Sequence, residues 1–421
     1  MRVISAPAEG VNMTEQLPRM RDDVELLPMF HAGRPMVQVR DPLGLIKEPV
    51  ALDEEGAEIL AMLDGTHTMS DLKLFLARRQ GGVLVTTMEV TQILEQLSAF
   101  YLLQDERYET AKAQIVAAYA AKPIRTAYHA GVAYSSDSEE LKLELEDIMA
   151  MRAGATPEGI DPGKVVALVA PHMDLEPAAA CYAAAYGAIK GAAVDLAVIL
   201  GTGHSVKSRT FALTKKDFET PLGTAKTDKG IVEELMRSSR DCVLDGDLPH
   251  RHEHSIEFQV LFLQYVLGSP DLSIVPILCG SLRSSLDSYG GPSEIPCVGG
   301  FLAALRGMIE RDRRRCLIVA GVDFSHIGIK FGDSYSGRTL APDATEHDKA
   351  LLSSLCAWDA AGFWQESRRV RDTYKVCGFA PMASMLELLP AATGHFLDYG
   401  TTYEDATHSA VSYAAVAFTR P

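Results

Sequence analysis

Three hydrophobic, strand-like runs in this chain each stop just short of a histidine. Lys164–Ala170 precedes His172, Asp195–Leu200 precedes His204, and Cys316–Gly321 precedes His326. Apolar runs of this length, separated by helix-length segments, pair side by side as a parallel sheet. In an open α/β sheet, ligands bind in the crevice outside the carboxyl ends of the strands. Imidazoles delivered there from three distant segments therefore point to one convergent site. A metal centre is the leading reading, because neutral imidazole is the commonest metal ligand.

The alternation runs through most of the chain. Strands are expected at 164–170, 195–200, 272–278, 316–321, 395–399 and 411–418. Helices are expected at 136–150, 177–190, 228–237, 253–267, 300–312, 344–354 and 380–389. This pattern predicts an α/β fold, with a mostly parallel central sheet covered by helices on both faces.

Residues 1–108 read differently. Asp53–Leu63 and Met69–Arg79, the latter with Ser70 as cap, have the length of short helices. Met88–Phe100 places Val90, Ile93, Leu94 and Leu97 at amphipathic spacing, and a strand-like tail, Phe100–Leu103, follows. Three small helices with a closing β element describe a small winged-helix-like domain. Its third helix carries Glu89 and Glu95 and no Lys or Arg, whereas a DNA-reading helix needs cations. An interaction or dimerisation module is expected instead. Residues 109–123 read as a connecting helix ended by Lys122-Pro123. The expected plan is thus 1–108, 109–123 and 124–421.

Charge and cysteine usage narrow the setting. Forty Lys and Arg against 56 Asp and Glu give a formal net charge of −16, which argues against nucleic acid or an anionic membrane as partner. Seven cysteines without a CxxC pair fit reduced thiols and a cytoplasmic location. The start, MRVISAPAEG, has no apolar core of a signal peptide. The apolar stretch Pro177–Gly201 is broken by Lys190, Gly191 and Asp195, so it reads as a helix and a buried strand. G-x-S-x-G, Walker A and G-x-G-x-x-G signatures are absent from the sequence.

The strand ends carry the chemistry. Pro171 stops a strand before His172, and Gly201-Thr202-Gly203 is expected to bend the chain sharply before His204. Asp323-Phe324-Ser325-His326 is the third case. In Pro249–Glu257, His254 and Glu257 share a helix face at i, i+3 and read as a supporting or acid–base pair. His250 and His252 are expected in a solvated loop. Cys377 sits before a helix start, where a helix N-terminus and a bound cation lower a thiol's pKa. Taken alone it reads as a buried, inert thiol.

These phrases in this order resemble the Memo family, also known as AmmeMemoRadiSam system protein B. The series starts at Tyr128-His129-Ala130-Gly131 and runs through Ala170-Pro171-His172, Ile199–His204, Thr220-Pro221-Leu222-Gly223 with Asp228, and Glu253–Glu257. It continues with Asp323–His326 and Val376-Cys377-Gly378, and closes at Ala410–Ala415. The resemblance implies a fold similar to class III extradiol dioxygenases and a pocket of two histidines and a cysteine that binds copper or iron. Carried over, the metal ligands are His172, His204 and Cys377. His326 corresponds to a further pocket histidine, and Asp323 and His254 line the same crevice.

A thiolate in place of a carboxylate suits copper or zinc better than the usual iron triad. The chain departs from the family pattern at Met173-Asp174-Leu175 and at Ser205. Asp174 either hardens the site toward iron or hydrogen-bonds His172. The resemblance implies metal-dependent oxidoreductase chemistry on a small molecule; its alternative is a non-catalytic scaffold holding a peptide or protein in the old pocket. Around Thr68–Leu76 the front region is similar to PqqD-like peptide-recognition domains, which implies a radical-SAM protein partner.

Overall fold

The computed structural model describes residues 16–152, 159–206, 211–389 and 391–420. The opening residues, read above for a signal peptide, lie outside that range. The chain divides into two units, one up to Ala118 and one from Tyr119 onward.

The first unit has three antiparallel strands, β1 (Glu25–His31), β2 (Arg34–Arg40) and β3 (Val50–Leu52), in that order in the sheet. Helices α1 (Glu54–Met62), α2 (Met69–Arg79), α3 (Thr87–Ala99) and α4 (Glu106–Ala120) follow. Leu60, Leu72, Leu76 and Val90 bury the inner faces of α1–α3. The β element thus precedes the helices, and the strand expected at Phe100–Leu103 does not form. There Tyr101 takes a left-handed backbone, and only Leu103 makes an isolated bridge, to Met20. The cap of α2 is Thr68, not Ser70: its hydroxyl accepts from the Asp71 N–H while the Asp71 side chain accepts from the Thr68 N–H.

The second unit runs β4 (Ile124–Arg125), α5 (Ser138–Ala150), β5 (Val165–Ala170), α6 (Ala179–Gly187), β6 (Leu196–Thr202) and β7 (Phe211–Leu213). It continues β8 (Asp217–Thr220), β9 (Gly223–Thr227), α7 (Lys229–Ser238), α8 (His254–Leu267), β10 (Ser273–Cys279), α9 (Val298–Arg311), β11 (Cys316–Gly321) and β12 (His326–Gly328). It ends with α10 (Gly337–Cys356), α11 (Ala360–Val370), α12 (Phe379–Leu386), β13 (Thr393–Glu404) and β14 (Ser409–Thr419).

One large mixed sheet has the order β12-β14-β5-β11-β6-β10-β9-β8-β4, with β13 on β14 and β7 on β10. Its centre, β5-β11-β6-β10, is parallel. Both faces are covered, so β5 and β6 are buried at every position. Alternate residues serve the two sides. Leu196, Val198 and Leu200 pack with α7 and α9–α12, while Ala197 and Ile199 pack with α5, α6 and α8. Among the described residues, no helix is long and apolar enough to cross a membrane.

Candidate metal centre

Three parallel strands end at one level. Gly321 of β11 pairs with Ala170 of β5 on one side and with Gly201 of β6 on the other. His172 lies just beyond Ala170, His204 just beyond Gly201, and Asp323 just beyond Gly321. Topology alone therefore gathers these side chains at one sheet edge. The segment before α12 adds Cys377, and the N-terminus of α8 adds Glu253 and His254.

Glycine keeps this edge narrow. A Cβ on Gly201 would sit 2.5 Å from Ser255 Oγ, and one on Gly378 would collide with Val322. Neither residue has a positive φ. The glycines therefore serve close approach of α8 and α12, not the sharp bend expected of Gly201 and Gly203.

Cys377 Sγ lies 3.4 Å from His172 Nε2 and also hydrogen-bonds His204. Ligand atoms of His172, His204 and Cys377 all fall within 4.8 Å of one another. The imidazoles are oriented by what holds their other nitrogen. His172 Nδ1 donates to the Gly321 carbonyl at 3.0 Å, and His204 Nδ1 meets the Glu253 carboxylate at 3.0 and 3.1 Å. His326 Nδ1 donates to the Phe324 carbonyl at 3.0 Å. With Nδ1 committed to these acceptors, Nε2 is the nitrogen left to hold a metal, which on binding displaces any proton there.

Asp323 fixes the loop from below. It is buried, and its Oδ1 accepts the main-chain N–H of His172 at 3.0 Å and of Met173 at 3.2 Å. Its Oδ2 lies 3.5 Å from His172 Nε2. Burial raises the Asp323 carboxyl above its ordinary value despite His172.

Burial would push the Cys377 thiol up as well. The charges of His172 and His326, with hydrogen bonds from His172 and His204, bring it well below its usual range. Burial would lower His172, but Asp323 and Cys377 raise it to about 9. The thiol is thus held as thiolate, the form that binds metals. Two imidazole nitrogens and one thiolate make a donor set that fits copper, zinc or iron.

The family model described as Memo-like protein matches residues 125–417. The chain belongs to the Memo family. A MEMO1 family protein of Aquifex aeolicus is 31% identical over 90% of this chain and 95% of its own length. The Protein memo-1 homolog of Caenorhabditis elegans is 29% identical, covering 70% of this chain and 83% of the relative. A MEMO1 family protein of Pyrococcus abyssi is 29% identical over 61% and 88%. The Memo match spans both β5 and α12, and so includes every residue of the crevice.

Several expectations change within this Memo unit. His254 does not pair with Glu257. Its ring lies 4.9 Å from that of His204, 13° from parallel, and 5.0 Å from that of His172. Glu257 faces away and pairs with Arg125 in full burial. His250 is not in solvent: it is buried, with Nε2 2.9 Å from the Ala212 carbonyl. His252 is half-buried. Asp174 is exposed, and the His172 ring is held by Gly321, Cys377 and Asp323 instead of by Asp174.

Glu253 is a site residue that the sequence pattern does not single out. It caps α8 through the Ser255 N–H at 3.0 Å and also accepts the His204 N–H at 3.1 Å. Its one sequence signal is an acidic residue at a helix start beside a histidine.

Proposed function

We propose that this crevice binds a redox-active metal ion, copper or iron, through His172, His204 and Cys377, and supports oxidoreductase chemistry on a small molecule. One observation carries the reading: the Cys377 sulfur 3.4 Å from an imidazole nitrogen, with a second imidazole alongside. Zinc also fits the donors. Copper or iron, when bound, supplies one-electron chemistry toward dioxygen or an organic substrate.

The chain's own residues have definable parts. The Gly321 carbonyl and the Glu253 carboxylate fix which nitrogen His172 and His204 present. Asp323 holds the His172 loop through two main-chain N–H groups. His326, tied at Nδ1, keeps Nε2 to take or give a proton beside the thiolate. The His204 side chain remains 37% exposed, which leaves an approach for a small molecule.

The test is metal analysis of the purified chain. Parent protein is expected to hold at least one equivalent of iron, copper or zinc, and a His172→Ala/Cys377→Ala variant at least one equivalent fewer. Equal content in both contradicts the reading.

A second reading, a scaffold for a protein or peptide partner, is favoured by apolar exposure on the first unit. Leu74, Val83, Leu84 and Met88 are 51%, 59%, 89% and 67% exposed. Partner capture that survives loss of all three ligands but fails in Leu84→Asp supports it. A radical-SAM protein is the partner class to try first.

A further inference from the structure

The N-terminus of α8 brings a second donor set to the opposite edge of the His204 ring. His204 Nδ1 lies 3.0 Å from Glu253 Oε1, and His254 Nδ1 lies 3.4 Å from that same oxygen. Ligand atoms of His204, Glu253 and His254 again all fall within 4.8 Å of one another. Nitrogen and oxygen donors sit roughly 2.0–2.2 Å from zinc, which places neighbouring donors about 3.3 Å apart. Both nitrogen-to-oxygen spacings, 3.0 and 3.4 Å, lie near that figure.

A carboxylate that only oriented His204 would account for the first of these distances. It does not account for His254, whose ring stands beside His204 with Nδ1 turned to the same oxygen. The two sets also divide His204 between them. With Nδ1 turned to Glu253, the nitrogen that meets Cys377 and His172 is Nε2.

We propose that the crevice holds two divalent cations bridged by His204, one on Nε2 with His172 and Cys377, the other on Nδ1 with Glu253 and His254. The proposal rests on the metal-centre reading above and extends it. The second set, two nitrogens and a carboxylate oxygen, is borderline in softness and suits zinc or a second copper. As the two cations bind, they take the place of the His204 Nε2 and Nδ1 protons, which leave to solvent, and the ring becomes an imidazolate. The imidazolate, the Cys377 thiolate and the Glu253 and Asp323 carboxylates together match the charge of two divalent cations. The 37% and 30% exposure of the His204 and His254 side chains gives the second cation a way in.

The test strips the full chain with a chelator, then titrates it with Co(II) and with Zn(II). Bound metal is counted by mass spectrometry after dialysis, and the thiolate-to-cobalt absorption band is followed. Parent protein is expected to hold two equivalents. His254→Phe keeps a ring and removes the donor; it is expected to hold one equivalent with the thiolate band intact. Cys377→Ala is expected to hold one equivalent without the band. Should His254→Phe fail to fold, Glu253→Gln tests the same arm.

One equivalent in parent, unchanged in His254→Phe and lost in Cys377→Ala, overturns the second cation and leaves the metal-centre reading standing. No bound metal in parent overturns both. Loss of both equivalents in His254→Phe also contradicts two separate ligand sets.

Discussion

Two buried polar clusters meet on the first turns of α8, and they differ in kind. On one side, Glu257 pairs with Arg125, both fully buried, and accepts the Tyr134 hydroxyl and the N–H groups of Tyr128 and His129. Arg125 spends its remaining donors on the carbonyls of Thr126, His250 and Glu253. Each nitrogen of Arg125 and each carboxylate oxygen of Glu257 has a partner inside the protein. On the other side, His172 and His204 are each anchored at Nδ1, and their second nitrogens converge with the Cys377 sulfur within 4.8 Å of one another. Burial and charge therefore do not mark a site. Convergent donors left without a structural task do.

That contrast sets what each replacement should do. The largest effect belongs to the closed cluster: Glu257→Ala leaves the Arg125 charge buried and uncompensated, at a cost of about 3–5 kcal/mol. Chemical unfolding of metal-free protein measures it, and a loss under about 1 kcal/mol would make the two clusters alike.

Next comes pH. Burial lowers His250 to about 4, below its ordinary 6.5, so in that window the unfolded chain binds the proton and the folded chain does not. Stability is full above pH about 6.5 and falls toward pH 4 by on the order of 3 kcal/mol. His250→Gln, which keeps a donor for the Ala212 carbonyl, should flatten the curve over that window relative to parent. Superimposable curves would show that His250 does not titrate differently on folding.

At the open cluster the expected effects move from stability to binding. Asp323→Asn keeps an acceptor for the His172 and Met173 N–H groups but weakens support of the ligand, and metal affinity should drop about 10–100-fold. Competition with a coloured chelator reads this directly, and an unchanged affinity removes Asp323 from the site. Smallest is the stability effect of Cys377→Ala in metal-free protein, about 1 kcal/mol. A much larger loss would place Cys377 among the structural residues.

The sequence made the sheet legible because both of its faces are covered. Fully buried strands such as β5, β6 and β11 write themselves as unbroken apolar runs, and the histidines after them stand out. The short strands β7, β8 and β9 carry no such run: β7 is apolar but only three residues long, and β8 and β9 are half polar. α10 starts seven residues before the helix expected at 344–354, because Pro342, which normally signals an end, lies inside it. In the first unit the caps are Thr68, where Ser70 was expected, and Thr86, each with an acidic partner three residues on, and β1 and β2 form where no element was expected.

The site was legible where topology delivers the residue. His172 and His204 follow from strand ends alone. Cys377 needed the family's ordered motifs, since nothing local distinguishes it from a buried thiol. Glu253 and Arg125 stayed hidden because their roles depend on partners more than forty residues away, which no local pattern encodes.

Anomalous scattering from crystals of the metal-loaded chain, collected at the absorption edge of the bound metal, tests the central claim most directly. A peak is expected in the crevice within bonding distance of His172 Nε2, His204 Nε2 and Cys377 Sγ. Density for all three side chains with no anomalous peak among them, in crystals grown with saturating metal, would contradict it.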